Sequence, residues 1–341
     1  MDPRGSLRLQ LLSACPATLA WDDVLGAAVF GPDRAGADAP CECPAHVPLA
    51  HIPMPALPGG GAVLERWCVD GPIRSATHGS VRYAHSEEFL FGRLHVGEDE
   101  ADGGRTGLER ATGHAYREMH AALAAAGFPH LLRVWNYMAD ITAETRGTER
   151  YRLFNSARQE ALLACGRSVR GNVPAASALG SACGPLAIYF LAGRAAPQLI
   201  ENPRQVSAYH YPAQYGARSP SFSRAALVRH RGATLLISGT SSILGHRSMH
   251  AGDPAAQTRE TLANIEALVE EANRLEPGAF ALEALAYKVY VRDPDDLPVI
   301  GAELDSALGA AAARVYLRAQ VCRRELSVEI EAVGQRAARA C

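Results

Sequence analysis

The sequence near the end of the chain reads Arg314-Val-Tyr-Leu-Arg-Ala-Gln-Val-Cys-Arg-Arg-Glu-Leu-Ser-Val-Glu-Ile-Glu-Ala332. Apolar residues alternate with longer or polar residues on both sides of Arg323-Arg324-Glu325, and this period of two predicts two short strands joined by a turn at that segment. Glu329 and Glu331 then project from one face of the second strand, opposite its apolar side chains. Two glutamates so placed either lie on a solvated face or face a cleft, where a fixed carboxylate can exchange protons with a ligand.

Composition narrows the functional classes. A chain of 341 residues can bury a sizeable core in one large or two ordinary domains. The formal net charge of -2 favours neither nucleic acid nor an anionic membrane surface as a partner, and a small-molecule substrate is the simplest expectation.

The sequence has no apolar run long enough to span a membrane and no signal-like N-terminus. The eight cysteines lack the spacing of a zinc site, so we expect reduced thiols in a cytoplasmic protein.

The order strand, loop, helix, strand occurs twice along the chain. Strands are predicted at 89–96, 131–137, 233–239 and 284–291, and helices at 108–125 and 254–275. Residues 1–80, rich in proline and glycine, are predicted to be an irregular capping segment with candidate short strands at 7–12 and 27–30. The repeat predicts an α+β fold with a first half within 81–224, which includes a central segment, and a second half at 225–341.

The central segment contains the other candidate ligand-binding residues. A predicted helix at 151–163 places Tyr151 and Arg158 near one face. The loop that follows is dense in tyrosine, arginine, proline and glycine, and it contains Tyr211, Tyr215 and Arg224. Rigid loops often carry binding groups, although a solvated arginine and packed loop tyrosines fit the same spacing. We expect no cofactor and no metal, because nucleotide-binding motifs and metal-ligand spacings are missing from the sequence.

The run Cys322-Arg-Arg-x-Leu-x-Val-Glu-Ile-Glu331 resembles the C-terminal signature of the chorismatase family, enzymes that remove pyruvate from chorismate. Their C-terminal half is built like the small trimeric RidA-type proteins. The resemblance implies two RidA-like (chorismate mutase-like) αβ halves that form a pseudo-trimeric core with a substrate cleft between them. A core built from one chain predicts a monomer.

The resemblance also implies roles for individual residues. Glu329 matches the catalytic acid, and Cys322 matches a position that separates subtypes. The Tyr-x6-Arg helix and the Tyr-Pro-x-x-Tyr-Gly loop with its downstream Ser-Phe-x-Arg resemble the family's substrate-binding segments. The substrate-binding residues implied in this way, with two arginines near the signature, are Tyr151, Arg158, Tyr211, Tyr215, Arg224, Arg314 and Arg323.

Chorismate carries two carboxylates and an enol ether, so its cleavage needs cationic donors and one acid. Glu329 is predicted to protonate the enolpyruvyl methylene. Pyruvate and 3-hydroxybenzoate together contain all the atoms of chorismate, so displacement by the neighbouring ring hydroxyl balances without water. With a cysteine at position 322, the chain resembles the branch of the family that forms 3-hydroxybenzoate, and this is the predicted product. The alternative is that Cys322 only packs as a small hydrophobic residue.

Other outcomes remain open at this point. Two of them concern the product: hydrolysis to pyruvate and a dihydroxy-cyclohexadiene carboxylate, or formation of a mixture of 3- and 4-hydroxybenzoate. The third is a protein of a different class, a RidA-like binder of small carboxylates or an imine deaminase. The long central segment, which small RidA proteins lack, argues against the different class.

Overall fold

The structure, a computed structural model, describes residues 6–13, 19–32, 43–99 and 104–336. Cys15, Cys41 and Cys341, for which reduced thiols are predicted, lie outside these ranges. Among the described residues, Cys43, Cys68, Cys165 and Cys322 are free thiols. None of the described helices is both long and apolar enough to cross a bilayer.

The N-terminal part of the chain forms strands. They are β1 Leu7–Leu12, β2 Val24–Gly31, β3 Leu49–Pro53, β4 Ala56–Leu57 and β5 Val63–Val69. Four of the described strands form one sheet in the order β1-β5-β2-β3. The candidate strands at 7–12 and 27–30 correspond to β1 and β2. The prediction that the rest of 1–80 is irregular is wrong for the described residues, because further short strands between proline-rich loops pair with these two over long sequence distances.

The first half follows. Its elements are β6 Arg74–His78, β7 Val81–His85, β8 Phe89–Val96, α1 Gly107–Ala126, β9 His130–Ala139, β10 Glu144–Thr145, β11 Thr148–Glu149, α2 Arg150–Ala164, β12 Ala175–Ser181 and β13 Leu186–Gly193. The main sheet has the order β12-β9-β13-β8-β7-β6. Helix α1 begins with a capping box between Thr106 and Glu109 and ends at Gly127, whose φ of 74° favours glycine.

The second half repeats this arrangement. Its elements are β14 Gln198–Ile200, β15 Ala225–Arg229, β16 Ala233–Ser241, β17 Ile243–Leu244, β18 Arg247–Ser248, α3 Pro254–Leu275, β19 Ala286–Val291, α4 Leu297–Leu308, β20 Arg314–Arg318 and β21 Val328–Arg336. The sheet order is β14-β15-β16-β21-β19-β20-β4. Strands β6 and β14 show that the two main sheets begin before residues 81 and 225.

All three sheets share one strand pattern. The orders β3-β2-β5-β1, β12-β9-β13-β8 and β20-β19-β21-β16 correspond strand by strand, and each begins with a parallel pair. Helices α1 and α2 cover the outer face of the first half, and α3 and α4 that of the second. The inner faces of the three sheets share one hydrophobic core. The predicted α+β fold and internal repeat are confirmed, and the N-terminal sheet supplies the third side of the pseudo-trimeric core.

The predicted strand pair at the end of the chain is wrong in its pairing. Strand β20 pairs in parallel with β19 and antiparallel with β4, and β21 lies on the other side of β19. The segment around Arg323-Arg324-Glu325 therefore crosses the end of β19 instead of closing a hairpin. Alternation identifies a strand but does not specify its neighbour.

Candidate active site

A cavity of about 210 Å3 opens between the two halves. The lining residues are Glu149, Tyr151, Arg152, Arg158, Ala176, Ser177, Ala178, Tyr211, Tyr215, Pro220, Phe222, Arg224, Gly239, Ser241, Ile243, Cys322, Arg323, Arg324, Glu325 and Glu329. They come from β11, α2 and β12 of the first half, from β16, β17 and β21 of the second, and from the loops before β15 and β21. The mixture of apolar walls and convergent polar groups is typical of sites for small polar molecules.

Glu329 enters the cavity from the middle of the second sheet. It lies on β21 opposite Ser241 of β16 and Tyr290 of β19, and it is only 5% exposed. The register between β16 and β21 shifts at Ser238 and Gly239. A Cβ atom at Gly239 would lie 2.0 Å from the Glu329 Oε1 atom. Glycine at this position therefore makes room for the carboxyl group.

The environment of Glu329 favours its protonated form. Burial is the main cause, and the charge of Glu331 adds to it, while Arg133, a hydrogen bond with Ser241 and Arg224 act in the opposite direction. Together these effects raise the pKa of Glu329 to about 8. A carboxyl group that keeps its proton at neutral pH can act as a general acid.

Glu331, two residues further on, lies in the opposite electrostatic environment. Its carboxylate is 2.6 Å from the Lys288 Nζ atom and 2.9 Å from an Arg133 nitrogen, and it accepts a 2.8 Å hydrogen bond from Trp135. Burial opposes ionisation, but Lys288 and Arg133, with hydrogen bonds from Lys288 and Ser177, outweigh it and lower the pKa of Glu331. The two glutamates therefore differ in charge at neutral pH, although both are buried.

Two buried arginines face the cavity with unused donors. Arg158 donates to Asn155 at 2.8 Å, and Arg224 donates to the Tyr211 hydroxyl at 2.7 Å and to the Val206 carbonyl at 3.0 Å. Within the described residues, the Nε atoms of Arg158 and Arg224 are buried without a hydrogen-bond partner. A buried guanidinium with free donors is well suited to bind a carboxylate.

Arg323 is held by the loop on the second-half side. Its guanidinium lies 4.1 Å from the centre of the Tyr215 ring, and its Nη1 atom donates to the His246 carbonyl and the Ser248 hydroxyl, each at 3.0 Å. The Tyr215 hydroxyl is in turn 3.3 Å from the His246 Nδ1 atom. Arg323 and Tyr215 thus form one fixed wall of the cavity.

Tyr151 and Cys322 complete the cavity on the side of the first half. Burial raises the pKa of the Tyr151 hydroxyl, which therefore remains a hydrogen-bond donor. Burial, with the neighbouring Glu329, raises the pKa of the Cys322 thiol to about 12. The Cys322 side chain also packs against Val321 and Leu326. The sulfur is thus a neutral thiol and not a reactive thiolate.

Of the residues that the sequence singled out, the cavity contains Glu329, Cys322, Tyr151, Arg158, Tyr211, Tyr215, Arg224 and Arg323. Arg314 lies outside it, at the start of β20, where its guanidinium pairs with Asp305 of α4. The carboxylate-binding role expected for Arg314 has no place in this cavity, because its charge is used in a salt bridge elsewhere in the second half. The described residues contain no cluster of His, Cys, Asp or Glu suited to hold a metal ion.

Comparisons with known proteins agree with this geometry. A family model described as "Chorismatase FkbO/Hyg5-like, N-terminal" matches residues 65–192. The chain is 38% identical to a 3-hydroxybenzoate synthase of Streptomyces hygroscopicus, over 79% of this chain and 80% of that protein. It is 36% identical to a chorismatase of Streptomyces rapamycinicus, over 79% of this chain and 81% of that protein. The chain belongs to the chorismatase family. A crystal structure of a chorismatase superimposes with a TM-score of 0.86 and 28% identity, covering 98% of this chain and 100% of the other.

In this chorismatase, one residue missed at the sequence level lines the cavity. Ser177 lies in the plain apolar strand β12, where no motif marks it. Gly239 lies within β16 and begins a run that resembles the family's Gly-Thr-x-Ser-x-x-Gly-His strand end, a turn with backbone N–H groups suited to a ligand. The run does not indicate that a side chain at Gly239 would meet Glu329.

Strands β13 and β5 correspond to β21 in the other two sheets, and their registers place Ala187 and Val63 at the positions equivalent to Glu329. Of these three described positions, only the one in the second half has a carboxyl group.

Proposed function

We propose that the protein converts chorismate into 3-hydroxybenzoate and pyruvate. The observation that carries this proposal is a buried, protonated Glu329 in a cavity that also contains Arg158 and Arg224 with unused donors. An acid and two guanidinium groups are what a dianionic enol ether requires. The relative named 3-hydroxybenzoate synthase supports the choice of product.

Binding comes first in the proposed mechanism. Arg158 and Arg224 each offer a charged donor to one carboxylate of chorismate, and the hydroxyls of Tyr151 and Tyr211 line the same space. Charged hydrogen bonds in a buried site are stronger than in water, because little solvent competes for them. Arg323 is already engaged by the loop, and it adds positive charge at the wall.

The chemical step begins with proton transfer. Glu329 gives its proton to the methylene carbon of the enol ether, which becomes a methyl group and leaves an oxocarbenium ion. The neighbouring ring hydroxyl then attacks the carbon that bears the ether oxygen. That C–O bond breaks, its electron pair stays on the departing oxygen, and pyruvate leaves. The hydroxyl proton returns to the Glu329 carboxylate, and the epoxide-like ring opens and aromatises to 3-hydroxybenzoate without consuming water.

Cys322 favours this internal route over hydrolysis. Its neutral thiol lies beside Glu329 and occupies space that a water molecule would otherwise use. In this proposal the sulfur acts by its volume and low polarity, and forms no covalent bond.

Incubation with chorismate, followed by separation of the products, tests the proposal. We expect pyruvate and 3-hydroxybenzoate in equal amounts. A protein that releases no pyruvate refutes the function as a whole. Pyruvate accompanied by a dihydroxy-cyclohexadiene carboxylate, or by 4-hydroxybenzoate, refutes the choice of product but not the cleavage of chorismate.

We further propose that the enzyme is a cytoplasmic monomer. The N-terminal sheet supplies the third side of the shared core within the same chain, and all described cysteines are thiols. Light scattering coupled to gel filtration should give the mass of one chain, and a trimer would contradict the proposal.

A further inference from the structure

Ser177 connects the two halves at the floor of the cavity. Its Oγ atom donates to the Glu331 Oε2 atom at 2.7 Å, and it accepts hydrogen bonds from Arg133 at 2.6 Å and from the Gly239 amide at 2.9 Å. Ser177 and Arg133 belong to the first half, and Glu331 and Gly239 to the second. One donor and two acceptor positions are filled, so the hydroxyl is fully used.

The Gly239 backbone held by Ser177 is also the surface against which Glu329 lies. A Cβ atom at Gly239 would meet the Glu329 Oε1 atom at 2.0 Å and the Ser177 Oγ atom at 3.0 Å. The acid, the glycine and the serine therefore meet at one point. A change at Ser177 must alter the position of the strand segment that supports the acid.

Glu331 supplies a fixed negative charge on the other side of Ser177. It is bound to Lys288, which lies between Glu331 and Glu65 at 2.6 and 2.5 Å. The Tyr189 hydroxyl bonds to both Lys288 and Glu65, at 3.0 and 3.1 Å. A buried carboxylate with so many partners resists protonation.

We propose that Glu331 and Ser177 are positioning residues for the acid: Ser177 holds the Gly239 backbone and the Glu331 carboxylate in place across the interface between the halves, and Glu331 places a fixed negative charge on the strand face that carries Glu329. The expected effect on the rate of pyruvate release rests on the proposed function. The expected effect on the ionisation of Glu329 does not rest on it, because ionisation is measured in the protein without substrate.

The other charged or titratable groups around Glu329 do not supply this effect. Arg133 on β9 and Arg224 before β15 favour ionisation of Glu329. Arg292 after β19 also lies near Glu329. Cys322 before β21, Tyr151 on α2 and Tyr290 opposite Glu329 on β19 have raised pKa values and are neutral. The other charged residues that line the cavity are Arg158, Arg323 and Arg324, which are positive, and the carboxyl groups of Glu149 and Glu325.

Burial is the main cause of the raised pKa of Glu329, and Glu331 is the negative charge that adds most to it. Its removal leaves Arg133 without its carboxylate partner and Lys288 paired with Glu65 alone, which favours ionisation of Glu329 further.

Infrared titration of the Glu329 carboxyl group tests whether the charge of Glu331 raises the pKa of Glu329. Each protein is measured against the same protein carrying Glu329→Gln, so that the difference reports this group alone. Glu331→Gln is expected to lower the pKa of Glu329 by at least one unit, a tenfold change in its protonation equilibrium. Glu65→Gln is the matched control, since it removes the other carboxylate of Lys288 and does not line the cavity. An unchanged titration in Glu331→Gln, or an equal shift in the control, overturns the inference.

Ser177→Ala keeps the test decisive even if Glu331→Gln does not fold. Loss of the hydroxyl frees the Gly239 amide and admits water beside Glu329. The pKa of Glu329 should therefore fall, with its protonation equilibrium shifted about threefold towards the carboxylate. Pyruvate release should show kcat reduced at least tenfold, its high-pH limb moved to lower pH, and KM changed less than twofold. Ser181→Ala is the control, because Ser181 lies on the same strand, is similarly buried and bonds only to the Cys183 carbonyl among the described residues.

The outcomes separate the two proposals. A wild-type protein that releases no pyruvate refutes the proposed function, and the infrared titration still decides the inference. Equal effects of Ser177→Ala and Ser181→Ala would mean general loosening of the strand, and would overturn the positioning role.

Discussion

Replacing Glu329 by glutamine should stabilise the protein above about pH 5 while it removes activity. In the unfolded chain the carboxyl group ionises near its ordinary pKa of 4.5, whereas in the folded protein the pKa is raised to about 8. The raised pKa favours folding fully below the unfolded value, and this contribution is lost as the pH rises through the folded value. The two values differ by about 3.5 units at about 1.4 kcal/mol each, so the loss approaches about 5 kcal/mol as an upper bound.

Urea unfolding of the wild type and of Glu329→Gln between about pH 5 and pH 8 measures this difference. The glutamine does not titrate, so any change in packing that it causes adds a constant, and the slope against pH isolates the carboxyl group. We expect the advantage of the variant to grow with pH by up to about 1.4 kcal/mol per unit. A difference that stays flat would refute the reasoning, since it would mean that Glu329 ionises at its ordinary pH. Pyruvate release by the variant should fall by about 10²- to 10⁴-fold.

Three further changes test other parts of the site and its support. Arg224→Gln should raise KM for chorismate by about 10- to 100-fold, because a charged hydrogen bond contributes about 1.5–3 kcal/mol, whereas Arg314→Gln, outside the cavity, should leave KM unchanged. Equal effects of the two would contradict the placement of the substrate. Cys322→Ala should shift the products towards hydrolysis by admitting water, and an unchanged product ratio on chromatography would contradict its role. Lys288→Met should cost about 3–5 kcal/mol in urea unfolding, because it leaves the buried Glu65 without a cation and Glu331 with Arg133 alone; an unchanged stability would show that the Glu65 carboxyl group is protonated or hydrated.

Helix positions were predictable because their signals are local. The helix expected at 254–275 matches α3 in both bounds, since Asp253 accepts a hydrogen bond from the Ala256 amide and Pro254 begins the first turn. Gly127 ends α1 with a left-handed backbone, as expected from its position after an amphipathic run. Caps act within a few residues, so the sequence carries them in full.

Strand pairing was less predictable because partners are distant. The alternation around β20 and β21 identified two strands, but β19 lies between them, and its sequence is more than twenty residues upstream of β20. The N-terminal sheet was missed for the same reason. Strand β1 alternates and was a candidate strand, but it pairs with β5 across about fifty residues that include loops rich in proline and glycine, and its local pattern does not specify that partner.

The sequence by itself determined the repeated halves, three of the four described α-helices, and, through the resemblance of its motifs, most of the predicted site residues that the cavity brings together. Alternation placed Glu329 and Glu331 on one face of a strand, and the resemblance alone marked Glu329 as the acid. The physical difference between them came only from the tertiary structure, because a carboxyl group's ionisation depends on neighbours from other strands. Lys288 and Arg133 meet Glu331, whereas Glu329 faces the cavity beside Gly239 with few polar partners. Contacts with the other half also place Ser177 at the site, and a salt bridge with Asp305 holds Arg314 outside it.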